Sequence, residues 1–345
     1  GIVMARTSVR IAPDGSAQVK AIVADDLKQQ TVTWTSDNTS IASVEAGADG
    51  AATVKAGTGI GNATLTASVE GLDGKTRSAT MTVEVRPANY DEFVIDEATG
   101  TLLGYAGNSS YVEVPNNVKK INDQAFMSTP VQEVVVPASV ESIGYQAFAN
   151  CPKLTTITFE DTAERPSQLR EVGERAFYYT LKLKEVKFPK SVEKLGSGVL
   201  SSSTVQVVDF GGATVIPNDA LSSSAQVYDV TMSDEVTRIG DGAFLACMGL
   251  SELKLVDVEG AKDGESKGLP SRLQEIGSRA FSGTAFSCEK VMPSGLKTIG
   301  DGAFNLASGI TSVRLNDGLQ HNGGTAFGST KITELTVPDS GTSVG

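Results

Sequence analysis

The residue types that most often carry catalysis or bind metal ions are few and widely spaced in this chain. The single histidine is His321, and the three cysteines are Cys151, Cys247 and Cys288. These residues do not have the spacing of a metal site, and no nucleophile-elbow sequence occurs. A Ser-His-Asp or Cys-His arrangement would have to be built around His321. We therefore predict no catalytic centre, no metal site and no cofactor.

Other groups that could do chemistry fit structural roles better. Carboxylate pairs such as Asp234-Glu235 are typical of a solvated acidic surface. The glycine-rich segment 57–61 lies between strand-like segments and opens no helix, which favours a loop over a phosphate cradle. Asp241-Gly242 and Asp301-Gly302 both precede an Ala-Phe pair. This recurrence indicates turn or capping residues, with calcium binding as the weaker alternative.

The Ala-Phe pair itself returns every 21 to 37 residues, with leucine twice in the place of phenylalanine. This Phe slot is occupied by Phe126, Phe148, Phe177, Leu200, Leu221, Phe244, Phe281, Phe304 and Phe327. Before the slot comes an apolar residue that is usually followed by glycine, as in Ile143-Gly144. After it comes an apolar triplet spaced i, i+3, i+5, as in Leu154, Ile157 and Phe159. Such self-similarity indicates stacked coils, because one unit cannot bury its apolar side alone.

Each unit is predicted to hold a short strand, a turn, a second short apolar segment and one tight helical turn. The triplet resembles the L-x-x-L-x-L strand of leucine-rich repeats, and the added Ile-Gly-x-x-Ala-Phe element is similar to the BspA-like bacterial surface proteins. The resemblance covers residues 90–345 and implies a right-handed solenoid in residues 88–345. Its cap would be residues 88–117, followed by about nine repeats in 118–345. Asn322 and the segment 286–292 depart from the pattern.

Residues 1–87 lack the Ala-Phe period and alternate apolar with polar residues, as in Met81-Thr82-Val83-Glu84-Val85. Several such strands separated by turn signals predict a small β-sandwich. The segments 33–37, 41–44 and 63–67 resemble those of bacterial immunoglobulin-like domains of the second group. Trp34, the only tryptophan, is expected to plug the core between the sheets. The predicted fold class is therefore mainly β, with an immunoglobulin-like sandwich before the solenoid.

The cysteines are expected to be structural. Cys151 and Cys247 both lie three residues after a Phe slot, four repeats apart. Stacking at ~4.8 Å per strand would separate them too far for a disulfide, so they are predicted to be small buried residues of the ladder. Cys288 falls in the irregular repeat, where burial is favoured and partial exposure is the alternative.

Composition and charge disfavour nucleic acids and membranes as partners. The formal net charge is -12, and it is uneven: residues 1–87 hold 8 basic and 9 acidic side chains, and the remainder 21 and 32. This acidity disfavours binding to nucleic acid or to an anionic membrane surface. No apolar run approaches the roughly 20 residues that cross a bilayer, so no membrane insertion is expected. The chain opens without a leader peptide, and an extracellular or cell-surface location is implied by the resemblance alone.

A binding surface is expected on the strand face of the solenoid. The candidate residues there are Tyr228, Asp229, Glu252 and Lys254, which lie near the middle of the array. Cross-strand charge pairing that only keeps the face soluble is the alternative role for these residues. Insertions at 160–168 and 257–271 follow strands and should emerge on one edge, as part of the binding face or as tolerated loops.

The resemblance implies a secreted or cell-surface bacterial protein that binds a protein or glycan partner and has no catalytic activity. The alternative is a structural spacer or scaffold module of a larger envelope assembly. Weak self-association is also expected, because the last repeat in the sequence carries no polar cap and would expose apolar surface.

Overall fold

The computed structural model describes residues 1–287 and 291–340, in two compact units. One unit comprises Gly1–Phe93 with Pro115–Asn117, and the other comprises Val94–Val114 and the chain from residue 118 onward. The described residues form strands and turns with no α-helix. Short 3-10 helices cover Asp25–Leu27, Tyr90–Glu92 and Lys262–Gly264. No helix among the described residues is long and apolar enough to cross a membrane. The prediction of a mainly β chain is confirmed.

The first unit consists of two four-stranded sheets. Its strands are β1 (Ile2–Met4), β2 (Ser8–Ile11), β3 (Ser16–Val23), β4 (Thr33–Ser36), β5 (Ala42–Ala46), β6 (Ala51–Ala56), β7 (Gly61–Glu70) and β8 (Thr76–Val85). One sheet has the order β1-β3-β6-β5 and is antiparallel throughout. The other has the order β2-β8-β7-β4, in which only β2 and β8 are parallel.

Alternating apolar residues of both sheets form the core of this unit. Val54, Leu65 and Val83 are fully buried in one cluster of apolar side chains. Trp34 is half-buried and packs against this cluster, and its indole N–H has no hydrogen-bond partner among the described residues. The period-two pattern of these strands therefore places one face of each sheet in the core.

The second unit is a β-solenoid of stacked coils, as the repeat predicted. A cap precedes the coils, with strands β9 (Phe93–Asp96) and β10 (Thr101–Tyr105). One side of the coils carries two-residue strands that contain the apolar residue before each Phe slot. We call them the short strands: Lys120–Ile121, Ser142–Ile143, Glu171–Val172, Lys194–Leu195, Val215–Ile216, Arg238–Ile239, Glu275–Ile276, Thr298–Ile299 and His321–Asn322.

A second side of the coils, which we call the strand face, carries the apolar triplets. Its strands are Tyr111–Glu113, Glu133–Val136, Thr156–Phe159, Glu185–Lys187, Val207–Asp209, Asp229–Ser233, Lys254–Val256, Ser312–Arg314 and Glu334–Thr336. Neighbouring strands that pair on this face are parallel. The exception is Ser266–Lys267, which comes from the second insertion and pairs antiparallel with Lys254–Val256.

The third side contains the Phe slots, and here the predicted helical turn is wrong. Around Phe126, the residues Gln124 and Ser128 both have positive φ, 59° each. The positions two before and two after the slot repeat this left-handed conformation in all the described coils. Within the first coil, the N–H groups of Ala125, Met127 and Thr129 each donate to the carbonyl three residues earlier. The segment is therefore three overlapping β-turns.

These turns leave every second N–H free to bond to the next coil. The N–H groups of Gln124, Phe126 and Ser128 donate to carbonyls of the following coil, and Phe126 reaches Ala147 at 2.8 Å. A helix would direct its N–H groups along its own axis and could not bridge coils in this way. The need to pair buried backbone groups between coils thus outweighs the local preference for a helical turn.

Glycine after the apolar residue of the short strands permits the coils to stack closely. A Cβ atom on Gly277 would lie 2.5 Å from the backbone nitrogen of Asp241 in the preceding coil. At Gly240 and Gly323 the corresponding distances, to Asn218 and Asp301, are also 2.5 Å. The Ile-Gly element is therefore a consequence of backbone contact between coils.

The two described cysteines confirm the prediction of a buried ladder. Cys151 and Cys247 are fully buried free thiols. The Cys247 Sγ lies 3.1 Å from the carbonyl oxygen of Leu221, the Phe-slot residue of the preceding coil, and donates to it. Thr180 and Thr284 occupy the same position in their coils, and their hydroxyl groups donate to the slot carbonyl of their own coil, at Phe177 and Phe281. Cys288 lies outside the described residues.

Asn322 interrupts the ladder of apolar side chains, as its sequence position indicated. It pairs with Ile299 in the short strands and is 5% exposed, and its side-chain Oδ1 has no partner among the described residues. In the last described coil, Leu335 and Val337 are each 42% exposed, whereas the corresponding Val313 and Leu315 of the coil before are 3% exposed. Weak self-association of the chain stays a prediction.

Candidate binding groove on the strand face

The strand face presents two columns of outward side chains, because alternate residues of each strand point away from the core. Val186 and Val208 point inward and are fully buried. Pairing aligns Lys187 with Asp209, Asp209 with Thr231, and Thr231 with Lys254 across successive coils. The parallel register thus turns residues that are 20 or more positions apart in sequence into direct neighbours.

A groove with a volume of about 650 Å³ follows these columns in the middle of the array. Its lining consists of Lys187, Val207, Val208, Asp209, Asp229, Thr231, Lys254, Leu255, Val256, Glu265, Ser266 and Lys267. The last three residues come from the second insertion. We refer to these residues together as the groove.

The second insertion folds back and forms one wall of the groove. Its strand Ser266–Lys267 pairs with Lys254–Val256, so that Lys267 lies opposite Lys254. Two ion pairs fasten the insertion: Lys267 Nζ lies 2.7 Å from Glu252 Oε1, and Lys190 Nζ lies 3.0 Å from Asp257 Oδ1. A wall held at both ends loses less conformational entropy when a ligand binds than a free loop does.

Each lysine that lines the groove already has a carboxylate partner from the chain. Lys254 Nζ lies 2.7 Å from Asp229 Oδ2, and this hydrogen bond raises the pKa of Lys254. Lys187 pairs with Glu185, which likewise raises the pKa of Lys187. Both pairs are at least partly exposed and add little to the free energy of unfolding. They leave the charges accessible to a partner that could exchange with them.

Among the carboxylates of the groove lining, Asp209 and Glu265 have no lysine or arginine ion-pair partner in the described residues, and of these two only Asp209 is half-buried. Its Oδ1 accepts a hydrogen bond from the Gly211 N–H at 2.9 Å. Burial raises the pKa of Asp209, and the opposing effects of Gly211 and Lys187 are smaller. The carboxylate is half-buried in the groove lining. It is therefore a partly desolvated acceptor with unused hydrogen-bonding capacity.

The structure brings together two of the four candidate residues. Asp229 and Lys254 form an ion pair in the groove lining. Glu252 does not line the groove but holds Lys267 at its rim. Tyr228 is 56% exposed and also stands outside the lining. The prediction of cross-strand charge pairing holds for Asp229 with Lys254.

Sequence reasoning did not single out Lys187, Asp209, Thr231 or Lys267. The first three share one position in three successive triplets, so their alignment could have been found from the repeat. Lys267 could not, because its place depends on an insertion that reverses direction.

The Asp-Gly pairs of the turns act as backbone caps. The Asp241 Oδ1 accepts a hydrogen bond from the Ser278 N–H at 2.8 Å, and the Asp301 Oδ1 accepts one from the Gly324 N–H at 2.9 Å. Both bonds join one coil to the next. Within residues 1–287 and 291–340, no three ligand-type side chains gather into a group that could hold a metal ion.

The repeat pattern also matches a known family. The sequence profile of the BspA type leucine rich repeat region, in six copies, matches residues 104–165, 161–261 and 264–345. These segments make up most of the chain and coincide with the coils described above. The chain belongs to this BspA-type family.

One solved structure supports the same architecture for the BspA-type coils. A leucine-rich repeat protein from Bacteroides ovatus is 18% identical, with a TM-score of 0.55 over 75% of this chain and 66% of that one. The chain thus spans slightly less than two thirds of that relative. A leucine rich cell surface protein from Faecalibacterium prausnitzii is 22% identical, with a TM-score of 0.45 over 71% of this chain and 74% of that one. No curated protein matches the sequence.

Proposed function

We propose that this chain is a non-catalytic protein of the bacterial cell surface or exterior that binds another protein through the groove of its strand face. The observation that carries this proposal is the groove itself, in which paired charges from three coils and a fastened insertion surround a partly buried carboxylate of a fourth coil. Parallel strands of a solenoid provide a continuous, rigid surface that suits recognition of a partner. Membership of the BspA-type family agrees with a binding role and an exterior location.

Asp229, Glu252, Lys254 and Tyr228 are the proposed contacts. Asp229 and Lys254 lie in the lining, Glu252 positions the Lys267 wall, and Tyr228 extends the surface beyond the groove as an exposed aromatic side chain. Aromatic residues beside charged ones are common in the energetically important part of protein interfaces. A surface glycan is the second class of partner, and Tyr228 is the residue that favours it.

For the first unit we propose an immunoglobulin-like domain of the second bacterial group that acts as a spacer, within the predicted residues 1–87. Two four-stranded sheets with a shared apolar core support this, together with the Trp34 segment on which the resemblance rests. The solenoid would then occupy residues 88–345, with its cap at 88–117.

The alternative function is a scaffold module, in which the solenoid only associates with copies of itself or with envelope components. Screening of the purified chain against arrays of extracellular matrix proteins and of glycans separates the two functions. Saturable binding to one partner supports recognition, and self-association without any other binding supports scaffolding.

Charge reversal then locates the binding surface. The variant Asp229→Lys/Glu252→Lys should weaken binding to the identified partner and change its salt dependence, with the fold intact. The control Glu171→Lys/Glu193→Lys makes the same change of charge on residues that pair with Lys194 and Arg170 at the side of the short strands. Equal binding by both variants would contradict a site in the groove.

A further inference from the structure

We propose that Asp209 is the anchor of the groove for the guanidinium group of an arginine side chain of the partner. This inference rests on the proposed function, because it names the chemistry that the groove would recognise. Asp209 lies in the lining of the groove, and its neighbours across the two adjacent strands are Lys187 and Thr231.

The charge around Asp209 is unbalanced in favour of a cation. The groove and the partners of its lysines contain three lysines, which are Lys187, Lys254 and Lys267, and five carboxylates, which are Glu185, Asp209, Asp229, Glu252 and Glu265. The three lysines are each matched by one carboxylate. Glu265 and Asp209 are left without a lysine or arginine ion-pair partner among the described residues, and of these two Asp209 is the one that is partly removed from water.

A half-buried carboxylate without a direct ion-pair partner carries a desolvation cost, and an incoming cation would relieve that cost. Within the described part of the chain, only Oδ1 of Asp209 accepts a hydrogen bond, from the Gly211 N–H, so Oδ2 is available to a donor. A guanidinium group has a planar fork of N–H donors and is less strongly hydrated than an ammonium group. It could therefore bind the Asp209 carboxylate and also reach Asp229, which stands on the next strand diagonally across from it.

The net negative charge of the chain beyond residue 87 also favours a cationic partner. The part of the chain beyond residue 87 carries 21 basic and 32 acidic side chains, so a basic partner would be attracted at a distance. The dispersed charge steers the partner, and Asp209 provides the specific contact. A basic peptide segment with one exposed arginine fits this arrangement better than an acidic one.

The test uses the full chain and a capped glycyl-arginyl-glycine peptide, with glycyl-glutaminyl-glycine as the neutral control. Binding is followed by NMR at the amide of Gly211 and at the side-chain carboxyl of Asp209. We expect weak but saturable shifts with the arginine peptide and none with the glutamine peptide. Asp209→Asn keeps an oxygen that can accept the Gly211 N–H bond but removes the charge, and should weaken arginine binding about tenfold. Glu133→Gln removes one carboxylate from the strand face away from the groove and should not change it.

The inference is overturned if the arginine peptide leaves Gly211 and Asp209 unshifted, or if Asp209→Asn binds it as well as the parent chain does. These results are independent of the charge-reversal experiment on Asp229 and Glu252. If arginine binds at Asp209 but the partner binds the charge-reversed variant unchanged, the Asp209 anchor is supported and the proposed function is refuted. If partner binding needs Asp229 and Glu252 but arginine does not bind at Asp209, the proposed function is supported and the Asp209 anchor is refuted.

Discussion

The rings of Phe148 and Phe177 stack with their centroids 5.1 Å apart and their planes within 3° of each other. Phe126 continues the same stack below Phe148 at 4.9 Å, and all three side chains are fully buried. Each coil thus stacks its Phe-slot ring on the ring of the coil before it. An insertion elsewhere in a coil lengthens the spacing of the Phe slot in sequence without disturbing this stack.

The Phe slot should be a major source of stability. Phe148→Ala or Phe244→Ala removes a fully buried ring and should lower the free energy of unfolding by about 3 to 5 kcal/mol. Tyr228→Ala, at a position that is 56% exposed, should be nearly neutral. Urea denaturation of the three variants checks this. Equal losses at all three positions would contradict the assignment of the ladder.

The glycine of the short strands should resist substitution for steric reasons. Gly277→Ala would place a Cβ atom 2.5 Å from the backbone nitrogen of Asp241, and the two coils would have to separate. We expect a loss of about 1 to 3 kcal/mol in the free energy of unfolding. Gly104→Ala is the matched control, since nothing lies within 4 Å of the added atom. A Gly277 variant as stable as the Gly104 variant would show that the stacking is looser than described.

Cys247 should be unreactive while the chain is folded. Burial raises the pKa of its thiol to about 12, so almost no thiolate forms near pH 8. In the unfolded chain a thiol has a pKa of about 8.5, so the unfolded state releases the Cys247 proton at a lower pH than the folded state does. The contribution of this thiol to the free energy of unfolding therefore falls as the pH rises from about 8.5 to about 12. A thiol reagent at pH 8 should modify Cys247 of a Cys288→Ser variant only in denaturant. Rapid modification under native conditions would show that the ladder opens locally.

Replacement of Asn322 by isoleucine should stabilise the solenoid. The asparagine is buried in a ladder of apolar residues, beside Ile299, and its Oδ1 has no partner among the described residues. Asn322→Ile should therefore raise the free energy of unfolding by about 1 to 3 kcal/mol. Ile299→Asn is the reverse change in the neighbouring coil and should lower it. A destabilising effect of Asn322→Ile would contradict this, since it would mean that the side-chain amide of Asn322 is hydrogen-bonded in the folded chain.

Much of the solenoid could be predicted because its contacts repeat at a fixed distance in sequence. The buried positions of Ile143, Phe148, Leu154 and Ile157 follow directly from the period. The same reasoning identified Cys151 as a small buried residue of the ladder. Local pattern fails at the Phe slot, where the expected helical turn is three overlapping β-turns. Bonds to the next coil decide that conformation, and these bonds have no counterpart within a single repeat.

The sequence by itself determined the order of the two regions, the stacking of coils and which apolar side chains face the core, because periodicity records burial residue by residue. Only the tertiary structure decided where the groove lies. Register across coils places Asp209 between Lys187 and Thr231, and the reversal of the second insertion brings Lys267 opposite Lys254. Charge compensation depends on distances between coils, so an unpaired carboxylate becomes visible only when the coils are stacked.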